Sequence, residues 1–435
     1  MKAAAGLSLE QAPPISVPFR FFLSAPLFGL LASGLLLWVG PEALGSRWTP
    51  TVLALSHLLA LGVISMVMFG ALMQMLPVLV GVSIARPRLL GGICHGLLTA
   101  GAAMLALAFM HGDAAVFRLA TALLAAAFIV FLGLFGHGLL RAPRAGDAVR
   151  GMRWVWPALA ITVVLGIWLA LGHAATGLSL QRPRVTDLHL AWGLLGWIVL
   201  LVAVVAWQVV PMFQMTPPYP AWLRRWLAPL IIVGLVWLSL ALRWGAAAQA
   251  MVPALLLAAS VIVFAGLTLW LLGQRRRGRT DAGSRLWQFG LVMLVLAAFL
   301  GAWQLMAADR WQPFPSMLPA LLFLTGFALS IILAMLMKIM PFLVWLHLQQ
   351  GLAECPQAIG HYLPPGMKSI LPDRAMKQLA WLHMTAATVL PLALFFPLLT
   401  RPAAVLWAAL FGLLAWRQWM IVAVYRRELF KMEGG

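Results

Sequence analysis

Apolar residues run along this chain in blocks of about twenty, set apart by short polar loops, and twenty is the length an α-helix needs to cross bilayer hydrocarbon. Twelve blocks can be placed, at 17-40, 50-80, 88-110, 115-140, 152-174, 186-212, 226-245, 248-273, 285-307, 315-346, 376-399 and 403-425. The pattern predicts an all-α polytopic membrane protein with twelve transmembrane helices in a single integral membrane domain over residues 1-435.

One block organises the others. Ser56 to Gly81 reads SHLLALGVISMVMFGALMQMLPVLVG, with a histidine near its start and a proline near its end. The layout returns at His189 to Pro211 and, without the histidine, at Thr325 to Pro341. Pro77, Pro211 and Pro341 stand 134 and 130 residues apart, a chain-wide period of the kind that marks repeats. It divides the spans into three four-helix units, approximately 17-140, 152-273 and 285-425, forming a pseudo-threefold bundle in which spans 2, 6 and 10 are equivalent. A proline inside a helix frees a carbonyl that a neighbour must satisfy; the plainer alternative is that each proline stops its helix. The histidines break strict repetition. His57 lies 20 residues before Pro77 and His189 lies 22 before Pro211, a slip of about 200° around a helix.

Composition agrees with the pattern. The chain is 63% hydrophobic and 9% charged, whereas about a quarter of a soluble globule is charged. Its formal charge of +19 sits in short loops, so it is read as a topology signal and not as a nucleic-acid footprint. With the N-terminus inside, 21 loop Lys and Arg fall on the inner side and seven on the outer, which places both termini in the cytoplasm of a bacterial-type inner membrane. The N-terminal stretch has no short apolar core followed by a small-residue cleavage site, so the first span is expected to be retained. Two cysteines, Cys94 and Cys355, imply no disulfide framework.

The residues that could carry chemistry are few. His57 and His189 fall in the outer third of their spans, where an imidazole needs something to bind or bond. Imidazole is an axial ligand for haem iron, and both residues could reach one cofactor; equally, each could be hydrogen-bonded glue between helices. Gly62, Gly70, Trp192, Gly193, Gly196 and Trp197 stand nearby, small or flat enough to admit a macrocycle or another helix. Met68 and Met75 share the His57 face of an ideal helix and are taken as pocket lining. His111 and His173 lie at outer span ends, His95, His137, His347 and His361 at the cytoplasmic surface, and His383 deeper, as a candidate second inner site. Cys94 with His95, and Cys355 with His361, lack the ligand count of a zinc site. Gln74, Gln208 and Lys338 each stand three residues before a repeat proline, where they could meet the freed carbonyl or line a water path; Lys338 is expected to snorkel to the surface. Without a phosphate-binding glycine loop or an intramembrane carboxylate, neither ATP-driven transport nor an acidic proton relay is indicated.

Twelve spans, both termini inside, a three-by-four layout and a histidine near the outer end of span 2 resemble subunit I of the haem-copper oxidases and nitric-oxide reductases. The run His57-Leu58-Leu59-Ala60-Leu61-Gly62, followed by Met66, Met68 and Gly70-Ala71-Leu72, is also similar to the histidine helix of the NnrS family of nitric-oxide-response membrane proteins. The resemblance implies haem b at the site, His57 as an axial ligand and His189 on the helix that supplies a copper ligand. It also implies copper as the family's other metal, a redox partner protein and membrane lipid as surroundings. The chain departs from the oxidase pattern in two places. Span 7, WLAPLIIVGLVWLSLALRW, has no paired histidines, and span 10, SMLPALLFLTGFALSIILAM, has none. What the resemblance leaves is one haem between His57 and His189, or on one of them with another ligand, serving electron transfer or diatomic-gas binding. The competing readings are a haem-free transporter, with Gln74, Gln208 and Lys338 on its path, and a non-catalytic assembly factor.

Overall fold

The computed structural model describes residues 11–142, 146–175, 182–244, 247–276, 281–306, 314–354 and 362–432. Among them there is no strand. The long helices are α1 (Ser16–Val39), α2 (Pro50–His57, Leu58–Ser65 and Met66–Val80), α3 (Pro87–His111), α4 (Ala114–Arg141) and α5 (Asp147–Ala174). They continue with α6 (Arg182–Ala191, Trp192–Val199 and Leu200–Gln214), α7 (Ala221–Trp244), α8 (Met251–Gly273) and α9 (Ala282–Met306). The last are α10 (Leu318–Leu321, Leu322–Ala328 and Leu329–Glu354), α11 (Asp373–Leu392) and α12 (Thr400–Met432). Eleven of the described helices are long and apolar enough to cross a membrane, so the chain is an all-α polytopic membrane protein. The exception is α11, which stands where a span over 376-399 was expected. Asp373, Arg374 and Lys377 crowd its first turns, and it ends at Leu392.

Nine helices form a closed ring. Contacts run from α1 to α3, α4, α5, α7, α8, α9, α11 and α12, and α12 packs back onto α1. The other three, α2, α6 and α10, fill the interior. Their most apolar stretches are 61%, 72% and 83% buried, against 17% to 44% for the remaining candidate spans. An outer helix shows one side to lipid and must be apolar there; an inner helix has neighbours all round and can carry polar side chains that find partners.

The same three helices share an internal irregularity. Each carries a π-helical segment, opened by Leu58, Trp192 and Leu322, and each of these stands 19 residues before Pro77, Pro211 and Pro341 respectively. The wider turn leaves carbonyls poorly paired, which apolar surroundings tolerate only where another group supplies the bond. In α10, Thr325 Oγ1 donates to the Leu321 carbonyl at 2.7 Å and Ser330 Oγ donates to the Gly326 carbonyl. In α6, Trp197 Nε1 donates to Ser65 Oγ at 3.4 Å, joining the π segments of α6 and α2. The prolines do not stop their helices. All three lie inside, and α10 runs on from Pro341 to Glu354.

Loop chemistry fixes neighbours. α3 ends on Gly112 at φ 71, a left-handed cap that glycine adopts without strain. Asp113 follows at once and accepts from the Ala115 and Val116 amides at 2.7 and 2.9 Å, starting α4. A two-residue link leaves antiparallel packing as the only geometry for the pair. The α1–α12 closure depends on Gly29, where a Cβ would lie 2.3 Å from the Phe411 ring. Gly29→Leu is expected to force this contact apart at a cost of about 1–3 kcal/mol. A lowered melting temperature of the detergent-purified protein checks it; an unchanged midpoint would show that the closure does not matter.

Candidate functional site

The first turns of the three inner helices border one space. Between α2, α6 and α10, and walled by α1, α3, α5, α11 and α12, lies a cavity of about 510 Å³, within the size range of small-molecule and cofactor pockets. Its lining is largely apolar, and it includes His57, His189 and His173. Thr325 and Leu321 bring the third inner helix to the same wall.

His57 and His189 face this space with near-parallel rings, 10° apart in plane and 6.3 Å between centroids. Each has its proton assigned by its neighbours. A carbonyl only accepts, so His57 Nδ1–H donates to the Leu53 carbonyl at 2.7 Å and His189 Nδ1–H donates to the Thr162 carbonyl on α5 at 3.0 Å. Both Nε2 atoms therefore carry lone pairs, and among the described residues neither is hydrogen-bonded by the protein. An imidazole oriented through Nδ1–H to a backbone carbonyl, with Nε2 free, is a tautomer that can bind a metal through Nε2. The two histidines stand two residues apart in register relative to Pro77 and Pro211, and both line the one cavity.

Other side chains hold the pair in place. Phe109 packs on His57 at 5.2 Å and edge-on to His173 at 5.6 Å, and Phe117 stacks on His173 at 5.2 Å. Gly166 is the contact that lets His189 reach α5, since a Cβ there would lie 2.9 Å from His189 Cε1. Sequence spacing gave no sign of Gly166 or Thr162, because their partner comes from another helix. At the mouth, Arg47 lines the cavity, pairs with Asp187 at 2.9 Å and lies 4.4 Å over Trp48.

Met68, Met75, Gly62 and Trp192, expected at the site, are not among the residues that line the cavity. Met68 is buried away from the cavity lining, and the π segment explains why. At ~4.4 residues per turn instead of 3.6, each residue falls roughly 18° short, and eight of them accumulate a lag on the order of 140°. Gly62 admits the Phe28 ring of α1, whose atoms would sit 2.4 Å from a Cβ. Trp192 donates through Nε1 to Ser239 Oγ on α7 at 3.0 Å. Both act as helix-packing residues, not as cavity walls.

The other candidates separate clearly. His95 is bonded to Ser24 Oγ at 2.7 Å, His347 Nε2 accepts from the Ile15 amide at 3.2 Å, and His137 lines a smaller cavity beside Pro77. His111 is exposed at the end of α3. Cys94 is buried, while Cys355 and His361 lie outside the described residues. Lys338 Nζ reaches Asp281 Oδ2 at 2.5 Å, just outside α9 and beside the Ser284–Gln214 hydrogen bond. Among the described residues no group of three His, Cys, Asp or Glu side chains is placed to hold a metal ion. Three imidazoles line the cavity, and of these His57 and His189 stand 6.3 Å apart with near-parallel rings, a pair of donors and not a three-donor metal cluster. No family model matches the chain, and no curated protein matches it.

Two outcomes follow. Gly166→Ala is expected to push the His189 ring off the Thr162 carbonyl and to cost about 0.5–1.5 kcal/mol for the lost bond. Gly133→Ala, with open space around it, should not destabilise; comparison of the two melting temperatures checks this. Burial raises the Asp281 carboxyl, but hydrogen bonds from Lys338 and the Ser284 amide outweigh it and hold the group below its ordinary 3.8. Its stabilising contribution is therefore complete above about pH 3.8 and disappears as pH falls through the lowered value. In a pH series of unfolding midpoints, Asp281→Asn should remove that part of the acid dependence.

Proposed function

We propose that the protein binds one b-type haem between His57 and His189 and serves as a membrane electron relay in respiratory or nitric-oxide stress handling. The observation that carries this reading is the pair of free Nε2 atoms at the edge of one shared, cofactor-sized cavity. The proximity of the rings supports it: at 6.3 Å between centroids and 10° apart in plane, His57 and His189 are close enough that both would hold the same group.

Haem supplies one-electron chemistry when bound; the chain supplies the surroundings. The Leu53 and Thr162 carbonyls keep both Nδ1 protons in place, making the imidazoles better donors at Nε2. Phe109, Leu105 and Leu324 contribute to an apolar lining that excludes water. His57 and His189 would both hold the iron, and a haem held by two protein ligands would serve electron transfer over gas binding. In the proposed orientation the histidine ends of α2 and α6 lie toward the outer face of a bacterial inner membrane, and both termini lie in the cytoplasm. A redox partner protein would then dock near the Arg47–Asp187 mouth.

The transporter reading has less support. It needs Gln74, Gln208 and Lys338 to share a path, but Lys338 is held by Asp281, and no described cavity contains any of the three. The test is optical. Purified protein is expected to show a Soret band and a sharp reduced α-band, and His57→Ala and His189→Ala should each lower haem occupancy by about tenfold or more while the protein remains folded. A colourless wild-type protein prepared with adequate haem supply would overturn the proposal.

A further inference from the structure

The outer ring concentrates positive charge where α5 and α7 begin. Asp147, in the first turn of α5, accepts from Arg150 through Oδ1 and from Arg224 of α7 through Oδ2. One carboxylate is thus shared by two guanidinium groups and ties the two helix starts together. Arg153, one turn after Arg150, and Arg225, next to Arg224, are both exposed, and among the described residues neither makes an ion pair. The first turn of α7 has no acidic residue, and that of α5 has Asp147 alone. Four arginines therefore stand against one carboxylate, at helix ends whose dipoles add to the positive side and offset nothing.

Tryptophans set the depth of this cluster in the membrane. Trp222 and Trp226 flank Arg225, whose guanidinium lies 5.6 Å over the Trp226 ring, and Trp154 follows Arg153 on α5; all three indoles are exposed. Exposed tryptophan collects at the membrane–water interface. At the far end of α7 stands the exposed Trp244, 18 residues from Trp226 and 22 from Trp222. That separation is about 27–33 Å at 1.5 Å per residue, the thickness of a hydrocarbon core of about 30 Å. The arginines thus lie at headgroup depth. Leu230 and Val233 on α7, and Ile161 and Val164 on α5, are exposed and apolar on the membrane side of them.

We propose that the starts of α5 and α7 form a seat for one anionic phospholipid. Its headgroup phosphate lies over the Arg150–Asp147–Arg224 link, flanked by Arg153 and Arg225, and its acyl chains lie against the exposed apolar residues of the same two helices. Guanidinium groups pair with phosphate oxygens through directed N–H bonds, and basic sites between membrane helices take anionic headgroups. A free phosphate would meet the same arginines, but only a lipid also covers Val164 and Val233. The other end of α7 supplies a contrast. Arg243 stands 5.8 Å over Trp244, yet it is the one basic residue of that last turn. The inference concerns the lipid-facing surface and is independent of what occupies the central cavity.

The test is native mass spectrometry of the full-length protein in detergent, titrated with phosphatidylglycerol or with phosphatidylcholine. The wild type is expected to retain one phosphatidylglycerol in preference to phosphatidylcholine. Combining Arg153→Gln with Arg225→Gln, which breaks no ion pair, should weaken that binding by about fivefold for each arginine removed, whereas Arg243→Gln should leave it unchanged. Added inorganic phosphate should not displace the lipid. Equal retention of the two lipids by the wild type, a preference unaltered in the double variant, an equal loss in Arg243→Gln, or displacement by inorganic phosphate would each overturn the proposal.

Discussion

An imidazole set among apolar side chains has two nitrogens to satisfy and one proton with which to do it. Here backbone carbonyls take the proton of both His57 and His189, and the unprotonated nitrogens are left at the edge of a shared cavity. The rest of the interior follows from that arrangement. Gly166 is bare so that His189 can lie against α5, and Phe109 packs directly on His57 while it and Phe117 pack on His173.

The π segments are the backbone's part of the same design. A wider turn re-aims every side chain after it and loosens a few carbonyls, which only a helix surrounded by others can support. That is why the segments occur in α2, α6 and α10, the three most buried candidate spans, and why Thr325, Ser330 and Trp197 bond where they do. The rigid outer ring, closed by α12 against α1, holds these irregular helices in register.

Much of the architecture was legible in the chain because apolar block length depends on local sequence. Span 2 was readable to the residue, and the shared prolines fall in the three helices that carry π segments. His57 and His189 stood out because a histidine in lipid is costly wherever it sits. Met68 was misplaced because an ideal α-helix was extrapolated through eight residues that are wider. Gly62 and Trp192 were misplaced because a small or aromatic residue looks the same whether it faces a cofactor or a helix. Thr162 and Gly166 were invisible, as their meaning lies in a partner more than twenty residues away on another helix. The partner of Lys338, Asp281 just outside α9, was not legible because it stands 57 residues away in the chain.

The central claim is that His57 and His189 converge on one metal. Electron paramagnetic resonance of the oxidised, purified protein tests it most directly. The account predicts a low-spin ferric signal of the kind given by two near-parallel imidazoles, converted to high spin or lost in His189→Ala. A wild-type sample whose haem iron is high-spin, or which carries none after reconstitution, would contradict it.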